Sequence, residues 1–422
     1  MNKKLTICAL FFSVSVLAQK KDVVLKTVES QTINFQNLSF EELKAKAKKE
    51  GKPIFINIYM STCMPCKEME SEVFTNLSVA NHYNSTFINA SYDYNDTEGQ
   101  MLAEQYQTAC APTFLYIDSD GTLLHRRTGF ADQDNFLNLA KEASDPKKQL
   151  HYFDVEYPNR KSDKVFLLSY LRLLDKANCF SRSIPFLLND NSELSIKREL
   201  VFNEYFALQP IDSLINKSNW EAIRDFVYDY KSREFKYLLK NAAIYRKLYN
   251  KEEVDQKIKD VILTGNRLFC SDKGYSKSCL QAYTDEIKAL NSPETEVGLF
   301  WLALSNAKAD SEWAEFMRLV NEYETKFIVS AEDKEFVAHA IYQNIMDTIA
   351  LTKAEQLMKS ALAEQQSWLI YETYANVLFH LNKKQEAKLM ATKALEVAKQ
   401  VGAKKHNYNS ITYLLELIEQ LK

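Results

Sequence analysis

A small α/β sandwich followed by an extended all-helical region is the fold class predicted by this 422-residue sequence. Three observations predict it. Between residues 35 and 145, short apolar runs alternate with helix-period segments and are punctuated by turn signals. Asp145-Pro146 then interrupts that pattern. Beyond it, strand signals become rare and long amphipathic segments recur to the end of the chain.

The elements can be justified in order. Residues 38 to 49 read as a helix stopped by Gly51 and Pro53, and the branched apolar run from Ile54 to Met60 has the length of a buried strand. Thr62-Cys63-Met64-Pro65-Cys66 forms a turn, and Lys67 to Phe74 continues as a helix. Phe87 to Asp93 is a second strand, residues 97 to 107 a helix, and Thr113 to Ile117 a third strand. Asp118-Ser119-Asp120-Gly121 turns the chain into an antiparallel strand, Thr122 to Arg127. Gly129 and the helix Asp132 to Ala143 close the unit, giving a small sheet covered on both faces.

Past Asp145-Pro146, helical segments are expected near 163–176, 193–208, 220–247, 252–269, 275–290, 295–308, 311–327, 333–350, 353–364, 368–381, 384–400 and 405–421. Their lengths and short breaks predict paired helices stacked on their neighbours. Tyr371, Ala375, Leu378, Ala387, Ala391 and Ala394 place small and apolar groups on two helices around Asn382-Lys383-Lys384. That spacing resembles a tetratricopeptide hairpin, with an ordinary helical pair as the alternative.

The first eighteen residues combine Lys3 and Lys4 with an apolar stretch from Leu5 to Leu17 and small residues near Ala18, which reads as a secretory signal with Gln19 as the mature start. The stretch is shorter than the roughly 20 residues that span a bilayer. The expected organisation is therefore a signal at 1–18, a lead segment at 19–34, the α/β unit at 35–145, a linker at 146–162 and a helical interaction domain at 163–422, itself open to division. Losing the signal removes two lysines and takes the net charge from −3 to −5. Such mild acidity speaks against nucleic-acid binding, which needs a concentrated basic face. Export, with a bacterial periplasm as its setting or else an extracellular or peripheral envelope location, places the six remaining cysteines where disulfides persist.

The strongest chemical signal is Cys63-Met64-Pro65-Cys66. A helix starting near Cys63 aims unsatisfied backbone N–H groups at its sulfur and favours the thiolate. Cys66, one turn later, lies on the same face and can attack a mixed disulfide formed by Cys63. A structural disulfide and a zinc site are the alternatives, but zinc needs two further ligands and no second CxxC exists. No metal and no external cofactor are expected; the redox-active disulfide is intrinsic to the chain.

Thr62 to Lys67, the segment Ala111-Pro112-Thr113-Phe114, and Gly129 in Arg127-Thr128-Gly129-Phe130 together resemble the thioredoxin superfamily over residues 35–145. The resemblance implies a thioredoxin-like α/β sandwich, here followed by an all-α, helical-repeat-like domain. It further implies a cis bond before Pro112, with Met64, Pro65, Ala111, Pro112 and Thr113 forming the surface that orients a client peptide near Cys63. Two positions depart from the pattern. Asn57 and Asn89 stand where the superfamily usually carries a buried aspartate and its lysine, so proton transfer at Cys66 would use water or another group such as Glu70. Cys110 stands where a small residue is usual, as a small buried thiol or as an auxiliary thiol that captures an intermediate or forms an alternative disulfide.

Cys270 and Cys279 bracket a turn-forming interval and suit a structural disulfide, with free buried thiols or a second catalytic pair as alternatives. Cys179 has no obvious local partner, and pairing with a distant thiol is its alternative. The histidines His82, His125, His151, His339, His380 and His406 are scattered and form no ligand set. The function expected is an exported thiol-disulfide oxidoreductase that exchanges disulfides with protein or peptide clients and is reset by an external redox partner. The alternative is an exported binding or assembly factor that uses the α/β unit as a platform and the helices to hold a protein ligand.

Overall fold

The computed structural model describes residues 32–108, 110–177, 192–271, 276–400 and 405–420. The expected signal at 1–18 with Cys8, the lead segment up to residue 31, and Cys179 lie outside the described residues.

Helix α1 (Phe40–Glu50) begins where Ser39 and Glu42 cap each other reciprocally, satisfying two N–H groups that no helical carbonyl could reach. It buries Phe40, Leu43 and Ala47 and ends at Gly51, whose φ of 64° suits glycine. Strand β1 (Ile54–Tyr59) follows, then helix α2 (Met64–Glu68), which runs on through a π-helical turn at Met69–Val73. Helix α3 (Leu77–Thr86), strand β2 (Ile88–Asp93), helix α4 (Thr97–Gln105), strands β3 (Thr113–Ile117) and β4 (Leu123–Thr128), and helix α5 (Gln133–Ser144) complete the unit.

The sheet order is β2-β1-β3-β4, with β1 parallel to β2 and antiparallel to β3, and β3 antiparallel to β4. Alternation along β1 explains why it reads as a continuous apolar run. Ile54, Ile56 and Ile58 face α1 and α4 with Leu43, Leu102 and Leu115, whereas Phe55 joins Tyr83, Phe114, Tyr116 and Phe136 on the face covered by α3 and α5. There Tyr83 stacks on Phe136 with ring centroids 4.5 Å apart.

Two helices cover the edge strand β4. Residues 146–162, expected as a linker, contain helix α6 (Leu150–Glu156), and helix α7 (Lys164–Ala177) lies beside it. The Leu150 N–H donates to Nδ1 of buried His125 at 3.0 Å, and Thr128 Oγ1 donates to the Lys176 carbonyl at 3.4 Å. Helices therefore occupy an edge that would otherwise offer unpaired backbone groups to another chain.

The rest of the described chain is helical and packs into two main apolar clusters, one spanning Leu150 to Leu302 and the other Phe300 to Ile418, with Leu263 and Val297 touching both. Two helix boundaries depart from expectation. The segment 220–247 is three helices, Lys217–Phe226, Arg233–Lys240 and Ala242–Leu248, and the break expected near 351 lies instead at 345–347, between Ala331–Asn344 and Thr348–Glu364. Helices Trp368–His380 and Lys384–Gln400 pack against each other, burying Ala375, Leu378, Ala387, Ala391 and Ala394.

Candidate functional site

Strand β1 delivers the chain to Tyr59, and a tight turn in which the Cys63 N–H donates to the Met60 carbonyl at 3.0 Å starts α2. Cys63 occupies the N-cap position with extended φ and ψ of −78° and 116°, and its sulfur accepts from the Cys66 N–H at 3.3 Å. Pro65 fits the first turn because its missing N–H would have had no helical acceptor. Cys63 and Cys66 are joined in a disulfide with Cα atoms 5.3 Å apart. Cys63 is half-buried and Cys66 only 6 % exposed, while Met64 between them is 41 % exposed.

The peptide bond between Ala111 and Pro112 is cis. The Ala111 carbonyl oxygen lies 3.4 Å from Cys63 Sγ, so this segment faces the outer sulfur directly. Two further bonds fix the segment. Thr113 Oγ1 donates to the Cys110 carbonyl at 2.6 Å, and the Gly129 N–H donates to the Pro112 carbonyl at 2.8 Å. Gly129 has a φ of 79°, and a Cβ there would meet nothing within 4 Å, so conformation rather than space calls for glycine. The structure thus brings Cys63, Cys66, Met64, Pro65, Ala111, Pro112 and Thr113 to one end of the sheet.

Asn57 is buried on β1 and donates through Nδ2 to Ser91 Oγ at 3.0 Å, leaving Oδ1 without a hydrogen bond among the described residues. Asn89 donates to the Tyr83 carbonyl and to Asn84 Oδ1, at 3.3 and 3.2 Å. These two amides are engaged separately and supply no ionisable pair beneath Cys66. Glu70 is exposed, and its charge, with those of Asp93 and Asp96, adds to the burial that raises the Tyr59 hydroxyl above its ordinary range. The buried carboxylate on this helix is Glu68. Sequence reasoning passed over it because two glutamates two residues apart on a helix carry no local signal of which one turns inward.

Cys110 is itself disulfide-bonded, to neither member of the Cys63–Cys66 pair nor of the Cys270–Cys279 pair, so it is not a free thiol, and of the readings its position allows the disulfide is the one observed, though not with the CxxC cysteines. Cys270 and Cys279 are joined with Cα atoms 5.9 Å apart, both buried, linking helix Lys251–Ser271 to helix Lys277–Ala289. Among the described residues no group of three or more His, Cys, Asp or Glu side chains is placed to hold a metal ion, and no helix is long and apolar enough to cross a membrane.

This arrangement of sheet, CxxC helix and cis-proline segment defines a class. Residues 40–144 match the family model described as a thioredoxin-like domain. The chain is similar to the thiol:disulfide interchange protein DsbD of Yersinia pestis, at 33 % identity over 110 residues, which is 25 % of this chain and 18 % of that protein. DsbD of Escherichia coli K12 is 30 % identical over 116 residues, 26 % of this chain and 20 % of the relative. The chain thus spans about a fifth of the length of the curated relatives it matches. Among solved structures, a thioredoxin from Thermus thermophilus matches at 22 % identity and a TM-score of 0.25, covering 27 % of this chain and 88 % of that one. The C-terminal domain of DsbD from Neisseria meningitidis, in its oxidised form, matches at 23 % identity and a TM-score of 0.23, covering 24 % and 90 %. The protein has a thioredoxin-like α/β fold followed by an extensive all-α region.

Proposed function

We propose that this chain is an exported thiol-disulfide oxidoreductase that exchanges disulfides with protein or peptide clients through Cys63 and Cys66. The observation that carries the reading is the asymmetry of the pair. Cys63 is half-buried, caps a helix and faces the Ala111 carbonyl, while Cys66 is buried one turn behind it. In the reducing direction the Cys63 thiolate attacks a client disulfide and forms a mixed disulfide, expelling one client thiolate. The Cys66 thiolate then attacks Cys63 Sγ, releasing the second client thiol and leaving Cys63–Cys66 oxidised. An external dithiol restores the pair; in the oxidising direction a client thiolate attacks the existing disulfide.

Met64, Pro65, Ala111, Pro112 and Thr113 form the client surface on this reading, with the exposed Met64 side chain as an adaptable apolar contact. The helical region beyond residue 163 acts as the client-binding domain, its carboxy-terminal hairpin of tetratricopeptide type, and the site of action is the bacterial envelope. The match of residues 40–144 to the thioredoxin-like domain model and the chain's similarity to part of DsbD support the redox assignment. Cys66→Ala in the full chain tests it, because the variant retains the attacking sulfur and lacks the resolving one. Client proteins should accumulate in mixed disulfides with Cys63, and Cys63→Ala should capture none; a chain that captures nothing and fails to reduce insulin overturns the assignment.

A further inference from the structure

On the reading that Cys63 and Cys66 exchange disulfides, we propose that Arg126 is a positioning residue of that site, clamping the chain where it leaves α4 and thereby holding the Ala111–Pro112 segment against Cys63. Arg126 lies on β4 and is 2 % exposed. Its Nη1 donates to the Tyr106 carbonyl at 2.7 Å and its Nη2 to the Gln107 carbonyl at 3.4 Å. Among the described residues no carboxylate forms an ion pair with it, and Nε has no hydrogen-bond partner. A guanidinium buried without a carboxylate is unfavourable, and an apolar side chain would fill the same space at lower cost. What the charge gains here is the negative end of the α4 dipole and two carbonyls gripped by one rigid fork.

The gripped carbonyls belong to the residues that redirect the chain. Gln107 has a φ of 49°, uncommon for a residue with a side chain, and the Thr108 N–H turns back to the Ala103 carbonyl at 2.8 Å. Cys110 and the cis bond at Pro112 come within a few residues of that turn. The exit of the same segment is held by the Gly129 N–H, immediately after β4. The end of one strand thus fixes both entry and exit of the loop, with the contact to Cys63 between them. Loss of the clamp would move the client-facing backbone while leaving both reactive cysteines in place.

Arg126→Met and Arg126→Lys in the full-length chain test this. Measurements are kcat and KM toward a peptide disulfide, the rate of Cys63 alkylation by iodoacetamide in the reduced protein, and amide hydrogen exchange over residues 107–111. Arg126→Met should lower kcat/KM about tenfold to a hundredfold, the scale expected when a positioning element shifts by an ångström, chiefly through KM. Exchange over 107–111 should quicken and alkylation, which needs no loop, should hold at the wild-type rate. Arg126→Lys should recover part of the loss, and it carries the test if the methionine variant does not fold. Unchanged kcat/KM and unchanged exchange in a folded variant would overturn the proposal, as would a fall in alkylation equal to the fall in kcat/KM. A wild-type chain inert toward the peptide disulfide would defeat the exchange reading instead, and the exchange measurement would still report on the clamp.

Discussion

Cys63–Cys66 closes a loop across the first turn of a helix, with one sulfur half-buried beside a fixed backbone carbonyl, whereas Cys270–Cys279 ties two helices together with both sulfurs buried. The same bond serves two ends because its surroundings differ. On the proposed reading a partner thiolate reaches half-buried Cys63 while Cys66 waits buried behind it; among the described residues Cys270 and Cys279 are both buried between their helices. On that reading, access and local geometry, rather than the presence of a disulfide, distinguish the exchanging pair from the structural one.

The two regions also bury a base in different ways, and perturbing each tests how the regions are built. Lys257, in the helical region, lies under the Tyr228 ring with its nitrogen 4.0 Å from the centroid and no hydrogen-bond partner among the described residues. Burial pushes its ammonium down to about 7, with Asp260 and Asp225 opposing the shift and Arg198 and Arg224 adding to it. The unfolded chain therefore binds more protons between about pH 7 and 10.5, so the lysine's contribution is greatest above 10.5 and is lost as pH falls toward 7. Lys257→Met should remove that dependence and stabilise the protein near pH 7 by on the order of 3–5 kcal/mol, read by urea unfolding at pH 7 and 10. An unchanged pH profile would contradict the buried amine.

His125 is the counterpart in the α/β unit, held down to about 4 by burial first and then by Lys176 and Arg127. Its Nδ1 accepts the Leu150 N–H, which requires the neutral ring. The stability it supports is fully present above about pH 6.5 and is lost as pH falls through 4, amounting to roughly 3 kcal/mol. His125→Gln should flatten that part of the acid limb relative to wild type in urea titrations between pH 7 and 4. The smallest expected effect concerns the buried disulfide. Cys270→Ser with Cys279→Ser should cost about 2–3 kcal/mol of stability through a freer unfolded chain, with kcat and KM toward a peptide disulfide unchanged. Loss of turnover in that folded variant would blur the distinction drawn between the two disulfides.

The α/β unit was legible because its signals are local. Apolar runs of strand length, the spacing of Cys63 and Cys66, and Pro112 before a strand each act over a few residues. Glu68 was missed in favour of Glu70 because helical periodicity does not anticipate the π turn at Met69–Val73 or which neighbour packs on that helix. The cover of β4 by α6 was missed because the segment around Leu150 is short and its burial depends on His125, twenty-five residues earlier. The break after Phe226 contains neither Gly nor Pro, so Val227 to Asp229 gave no warning of it. The bonding of Cys110 is likewise a long-range fact that spacing does not reveal.

Differential alkylation of the native protein under graded dithiothreitol tests the central claim most directly. Cys63 should become labelled first, at reductant levels that leave the fold intact, while Cys270 and Cys279 stay protected until the helical region unfolds. Reduction of Cys270–Cys279 before Cys63–Cys66, or a Cys63–Cys66 bond that survives until global unfolding, would contradict the account.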